Sequence, residues 1–217
     1  MSEALPPTSI AVIGAGRVGG PLADHLQRAG HRVSVAASDP GAESVRAVLA
    51  RNPELTVATP RDAVGGAEVV VLATPFGANA GVLADLGDAL DGRVLIDATN
   101  PVGPGMTHPL GGRSGAQSVQ EAAPGARVVK AFSIYGFENL EDNAYPGYGV
   151  APAMLFCGED ADAKTVVGGL IRQLGWEPVD VGGIAQALHL EHMTLLWVRM
   201  VRADGGSPDR VWAILRR

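Results

Sequence analysis

The chain has 217 residues, 47% hydrophobic and 18% charged, which is apolar material for one substantial core and too little length for several. A formal net charge of -6 supplies no basic field for a phosphate backbone and excludes nucleic acid as the expected partner. The single cysteine, Cys157, can form no internal disulfide and lies in the apolar run MLFC, so a buried, inert thiol and a reducing compartment are expected.

The first ten residues, MSEALPPTSI, carry an acid and two prolines where a secretory leader needs a basic start and an apolar stretch. No apolar run approaches membrane-spanning length, so a cytoplasmic protein without membrane contact is expected. From residue 9 onward, apolar runs of strand length alternate with amphipathic stretches of helix length. The spacing predicts strands over residues 9–13, 32–36, 56–58, 69–73, 94–97 and 127–131, with helices over 18–29, 42–51, 79–90 and 117–122 between them. Residues 145–152, rich in Gly, Pro and Tyr, read as a long loop. The segment MLFCGEDADAKTVVGGLIRQLGWEPVDVGG adds a strand, a helix and a strand, with Asp160 or Asp162 as N-cap. Residues 184–200 form a last helix, apolar on more of its circumference than packing on a sheet requires, and a homodimer through this helix is expected. The expected fold is α/β, a Rossmann doubly wound parallel sheet of about eight strands with a C-terminal helical extension. It forms one domain over residues 1–217, with the dinucleotide-binding core in 1–135 and the sheet extension and C-terminal helices in 150–217.

The run SIAVIGAGRVGGPLADHL places Gly14, Gly16 and Gly19 as GxGxxG directly after a strand and directly before a helix. Gly14 permits the tight turn, Gly16 lets the backbone approach a pyrophosphate, and Gly19 lets helix pack on strand. The pyrophosphate then rests on the N–H groups and positive end of the helix, so Gly14, Ala15, Gly16, Arg17, Val18 and Gly19 are candidate cofactor-binding residues. A merely structural glycine turn is the alternative. At the end of the second strand an acid binds a ribose diol, as NAD requires, whereas a 2′-phosphate, as in NADP, calls for cations. Here Ser38 and Asp39 stand before Pro40; Asp39 is either the ribose acid or a turn residue, and Arg17 and Arg46 are the nearest cations in sequence.

With GAGRVG, the run VLATPF, the run VLIDATNP and the run VVKAFSIYG in this order, the chain resembles the deazaflavin (coenzyme F420)-dependent NADP reductases and the cytosolic reductase domain of the six-transmembrane metalloreductases. The likeness extends through CGEDADAK and LGWEPVDVGG to Leu190, Glu191 and Trp197 of the last helix. It implies that Thr74, Pro75 and Phe76 lie along the ribose and nicotinamide side of the cofactor, and that Asn100, Pro101 and Ala131 border the nicotinamide. It implies NADP rather than NAD, although Ala37 and Ser38 replace the serine–arginine pair usual for a 2′-phosphate. Ser133 stands where many relatives have asparagine, and His189 and His192 where similar sequences are often apolar or carry proline.

These features point to an NAD(P)-dependent oxidoreductase exchanging a hydride with a small-molecule substrate, a flavin or deazaflavin first. A carbonyl or imine reductase and a non-catalytic dinucleotide sensor are the alternatives. Transfer between two rings needs contact, alignment and dryness but no catalytic acid. A carbonyl or imine would need a proton donor, for which His108, Ser133, Tyr135, His189 and His192 are the candidates. One cysteine and scattered histidines make no metal cluster, so no metal is expected.

Overall fold

The structure, a computed structural model, describes residues 6–203 and 205–217. The leaderless reading of residues 1–10 thus falls partly outside the described residues. Strand β1 (Ser9–Ile13) runs into the glycine turn and helix α1 (Gly19–Arg28). Next come β2 (Arg32–Ala36), α2 (Glu43–Arg51), β3 (Thr56–Ala58), α3 (Pro60–Gly65), β4 (Val69–Leu72) and α4 (Asn79–Leu86). Beyond these lie β5 (Val94–Asp97), α5 (Gly115–Ala122), β6 (Arg127–Lys130) and α6 (Phe137–Glu141). The chain then forms β7 (Ala153–Gly158), α7 (Ala161–Gln173), β8 (Glu177–Asp180) and α8 (Ala187–Ala203).

Most predicted elements appear within a residue or two, and each larger departure has a local cause. The helix expected over 79–90 breaks at Gly87, whose φ of +51° ends α4 before a 3-10 turn over Gly87–Leu90. Helix α3, not expected, is too short to show a period but is opened by Thr59, which accepts from the Asp62 N–H, and by Pro60 in its first turn. Helix α5 starts two residues early because Ser114 and Gln117 form a reciprocal capping box. Asp160 caps α7 by accepting from the Ala163 N–H at 2.7 Å.

All eight strands join in the order β3-β2-β1-β4-β5-β6-β7-β8. Every pair is parallel except β6–β7, which runs antiparallel through Val129↔Gly158 and Lys130↔Cys157. The doubly wound parallel sheet of about eight strands expected from sequence is present, with this one antiparallel pair near its end. A parallel crossover needs a helix long enough to return along the sheet, and the five residues of α6 span only about 8 Å. The chain therefore enters β7 from the edge where β6 ended.

Alternate residues of the central strands feed two cores. Ile10, Val12, Val33 and Val71 pack under α1, α7 and α8, while Ala11, Ile13, Val70 and Leu72 pack under α3 and α4. Asp24, buried on α1, accepts from Arg28 at 2.6 Å, Arg51 at 2.8 Å and Asn52 at 2.9 Å, tying α1 to the end of α2. Burial opposes its charge, but these hydrogen bonds prevail and hold the carboxyl below its ordinary range. Cys157 is buried as expected, and desolvation pushes its thiol up to about 12.

Much of the apolar face of α8 is satisfied within the chain: Leu190, Leu195 and Trp197 are buried, leaving Leu196 half exposed. The chain then turns back on the sheet. Trp197 Nε1 donates to Arg210 O at 2.8 Å, and the Ala153 N–H donates to Trp212 O at 2.8 Å. No helix among the described residues is long and apolar enough to cross a membrane.

Candidate functional site

The loops that leave the carboxyl ends of β1 to β6 share one edge of the sheet, the position at which open α/β sheets bind ligands. Two of the three motif glycines are required by the fold itself. Gly14 has φ +100°, and a Cβ there would lie 2.7 Å from Ala73 O; a Cβ on Gly19 would lie 1.8 Å from Gly14 O. Gly16 is different, because a Cβ there would meet no atom within 4 Å. The chain has room for a side chain at this position, so the fold itself does not call for glycine here. Behind the turn, α1 begins with no side-chain cap and no acid in its first turn, leaving its positive end without an internal anion. The turn's residues thus fit a dinucleotide pyrophosphate.

A groove of about 600 Å³ runs from Gly14 and Ala15 past Ser38 and Asp39 to Arg61 and Thr74. Asp39 Oδ1 accepts the Gly41 N–H at 2.8 Å, so of its two readings the turn is present, on the groove wall. Arg46 serves the same turn by donating to Gly41 O at 2.7 Å. Arg61, paired with Asp88 at 2.8 Å, is a groove cation the sequence reading passed over; the Thr59–Pro60 helix start places it at the carboxyl end of β3. Arg17 leaves the turn to stack over the Phe137 ring, 5.0 Å from its centroid.

The remaining predicted residues gather farther along the edge, under α8. Phe76, Pro101 and Glu191 crowd one point: a Cβ on Gly115 would stand 2.7 Å from Phe76 Cε2, 3.0 Å from Pro101 Cδ and 3.2 Å from Glu191 Oε1. Asn100 Nδ2 donates to Ser133 O at 2.8 Å, and Thr194 of α8 donates to the same carbonyl at 2.5 Å. Val18 is half-buried at the start of α1, and Pro75 is exposed beside Phe76. The Ala131 side chain is wholly buried, which leaves only its backbone available to a ligand. Phe132 after it is held at φ +56°, a left-handed conformation uncommon for an aromatic residue and retained here at the edge of the site.

Beneath these loops lies a buried polar chain that sequence reasoning missed. Thr74 Oγ1 donates to Asn79 Oδ1 at 2.8 Å, Asn79 Nδ2 to Thr99 Oγ1 at 2.9 Å, and Thr99 Oγ1 to Asp97 Oδ1 at 2.6 Å. Lys130 Nζ reaches Asp97 Oδ2 at 3.0 Å, Glu191 Oε1 at 3.3 Å and the Thr99 carbonyl. Glu191 also accepts the N–H groups of Gly115 at 3.0 Å and Ala116 at 3.2 Å, and its Oε2 lies 2.7 Å from His108 Nε2. A signal did exist: Asp97 and Lys130 each close a strand directly after a run of apolar residues, and they are register partners on adjacent strands.

The proton-donor candidates separate sharply. Tyr135 is excluded by its bonds: its hydroxyl donates to Ala153 O at 2.6 Å, accepts the Trp212 N–H at 3.0 Å, and burial raises its pKa above the ordinary range. Its ring stacks on Trp176, which makes it a joint between β7 and the C-terminal tail. His189 and His192 are exposed, the latter with its ring edge-on to His108 at 5.2 Å between centroids. His108 Nδ1 and Ser133 Oγ are buried and find no partner among the described residues. No group of three or more His, Cys, Asp or Glu side chains among the described residues is arranged to hold a metal ion.

A three-glycine turn before an uncapped helix, opening on a groove at the carboxyl edge, defines a dinucleotide-binding protein of the Rossmann class. Residues 9–101 match the family described as NADP oxidoreductase, coenzyme F420-dependent. The F420-dependent NADP reductase of Methanothermobacter marburgensis is 30% identical over 212 residues, covering 88% of this chain and 91% of that protein. The chain belongs to this family and is an NADP-dependent oxidoreductase. It is also 28% identical over 187 residues to the metalloreductase STEAP3 of Rattus norvegicus, spanning 86% of this chain but 36% of that protein's length. A crystal structure from Arthrobacter sp. FB24, provisionally described as an F420-dependent NADP-reductase, superposes with a TM-score of 0.85 at 27% identity, covering 96% of this chain and 100% of that one.

Proposed function

We propose that the protein passes a hydride between NADP(H) and a planar redox ring, a deazaflavin or flavin, at the carboxyl edge of its sheet. The observation that carries this reading is Gly16, where the fold has room for a side chain and the sequence provides none, at the start of a helix without its own cap. On this reading the turn of residues 14–19 holds the pyrophosphate. Ser38 and Asp39 flank the adenosine ribose, with Arg61 near enough along the groove to meet a 2′-phosphate. Thr74, Pro75 and Phe76 on one side, and Asn100, Pro101 and the backbone of Ala131 on the other, border the nicotinamide.

NADPH bound there supplies the hydride; the chain supplies alignment and dryness. Helix α8, through Glu191 and Thr194, backs the crowded wall of Phe76 and Pro101 against which a flat ring can lie. A ring acceptor is favoured over a carbonyl or imine by similarity along nearly the whole chain to a reductase named for coenzyme F420. The test is reduction by purified protein with NADPH and with NADH against deazaflavin, flavin and a panel of carbonyls and imines. NADPH-dependent turnover of a deazaflavin or flavin is expected. Turnover of only carbonyls or imines, or tighter binding of NADH, overturns the reading.

A further inference from the structure

A 2′-phosphate calls for a cation at the carboxyl end of β2, and the loop that follows this strand brings none to the groove. Asp39 there accepts the Gly41 N–H at 2.8 Å, and Arg46 donates to Gly41 O at 2.7 Å. Arg17 stacks over Phe137. Among the described residues that line the groove, Arg61 is the only cation, and it shares the groove with two acids, Asp39 and Asp85. The sheet brings Arg61 there from the neighbouring strand. Ala36 and Ala58 are register partners of β2 and β3, and the Ala37 N–H donates to Ala58 O at 3.0 Å, so the two strands end side by side, about 4.8 Å apart. Ser38 follows Ala36 by two residues and Arg61 follows Ala58 by three. Thr59, which accepts the Asp62 N–H, and Pro60 fix the turn that carries Arg61. Its guanidinium stays on the surface, 2.8 Å from Asp88, with the two side chains 62% and 86% exposed. An ion pair so exposed holds its members weakly. A phosphate with two charges and three acceptor oxygens suits a planar guanidinium better than one carboxylate oxygen does.

We infer that Arg61, from the loop after β3 rather than the loop after β2, is the residue that selects NADP(H) over NAD(H), and that it does so by exchanging Asp88 for the 2′-phosphate. This rests on the function proposed above, in which Ser38 and Asp39 flank the adenosine ribose. Without cofactor, Asp88 holds the guanidinium; with NADP(H) bound, the phosphate takes its place and the Ser38 hydroxyl donates beside it. Asp88 is then an internal competitor for Arg61. Asp39 and Asp85 repel the phosphate across the same groove, so the preference between the two cofactors is set by one cation working against nearby acids. NAD(H) carries no 2′-phosphate and leaves the Arg61–Asp88 pair undisturbed.

Equilibrium titration tests this without turnover. The probes are NADPH, NADH and two fragments, adenosine 2′,5′-bisphosphate and adenosine 5′-monophosphate. Arg61→Gln should weaken NADPH and the bisphosphate by about 10- to 10²-fold, with NADH and the monophosphate changed by less than about threefold. Arg61→Lys should recover part of the loss, because it restores the charge without the planar fork. Asp88→Asn should act in the opposite direction, tightening NADPH and the bisphosphate by about two- to fivefold and leaving NADH as it was. Both side chains are exposed, so the variants should denature as wild type does. An Arg61→Gln protein that keeps the wild-type ratio of NADPH to NADH affinity, whether both are unchanged or both weakened, overturns the assignment while leaving NADPH use standing. Unchanged NADPH affinity in Asp88→Asn overturns the exchange. A wild-type protein that binds NADH more tightly than NADPH overturns the functional reading and the role of Arg61 with it.

Discussion

Helices α1 and α5 begin on the same edge of the sheet, and the chain treats their starts in opposite ways. The start of α5 has a capping box and then a buried carboxylate, Glu191, brought from a distant helix to the N–H groups of Gly115 and Ala116. The start of α1 has neither cap nor acid, and at Gly16 the space beside it is clear. A helix end filled by the chain's own anion is a joint, because its charge is spent within the fold. One left open at a surface groove is prepared for an anion from outside. The same backbone chemistry thus closes the molecule at one end of the edge and opens it at the other.

The largest effect should come from breaking the joint. Lys130→Met leaves Asp97 and Glu191 buried without their shared counter-charge, and a loss of about 3–5 kcal/mol is expected by chemical denaturation. A variant as stable as wild type would show that the cluster does not hold α8. At the open end the sign should reverse, with little effect on folding and a large one on binding. Gly16→Val should denature within about 0.5 kcal/mol of wild type yet bind NADPH about 10²-fold more weakly by titration. A smaller effect is expected at Asp24, which ties the body of α1 to α2 away from either anion site. Its carboxyl is held below the ordinary range, so its contribution is complete above the unfolded value near 4 and is lost as pH falls through the lower folded value. The stability gap between wild type and Asp24→Asn, on the order of 1–2 kcal/mol near neutrality, should therefore close in acid. A gap that persists well below pH 4 would mean that charge is not what Asp24 contributes.

The open end was legible in the sequence because its determinants are local. Gly14, Gly16 and Gly19 lie within six residues, next to a strand whose alternation is plain, and the geometry confirms why two of the three must be glycine. The strand positions were legible for the same reason. The direction of β7 was not, since it depends on the shortness of α6 rather than on the strand's own residues. The joint was half legible: Asp97 and Lys130 betray themselves as charges closing apolar runs, but Glu191 lies 61 residues beyond Lys130 and within an amphipathic helix where an acid is unremarkable. Tyr135 misled because a tyrosine near a substrate edge looks like a proton donor until its partners in β7 and the tail are known.

The long reach of Glu191 also bears on synthesis from N- to C-terminus. Every residue lining the groove falls between Ile13 and Leu86, so all of them have left the ribosome before α8 is made. Lys130 and Asp97 are both made well before α8, and Glu191, the second carboxylate on Lys130, arrives only with that helix. Translation thus delivers the groove of the molecule first and the carboxylate that joins the last helix to Lys130 later.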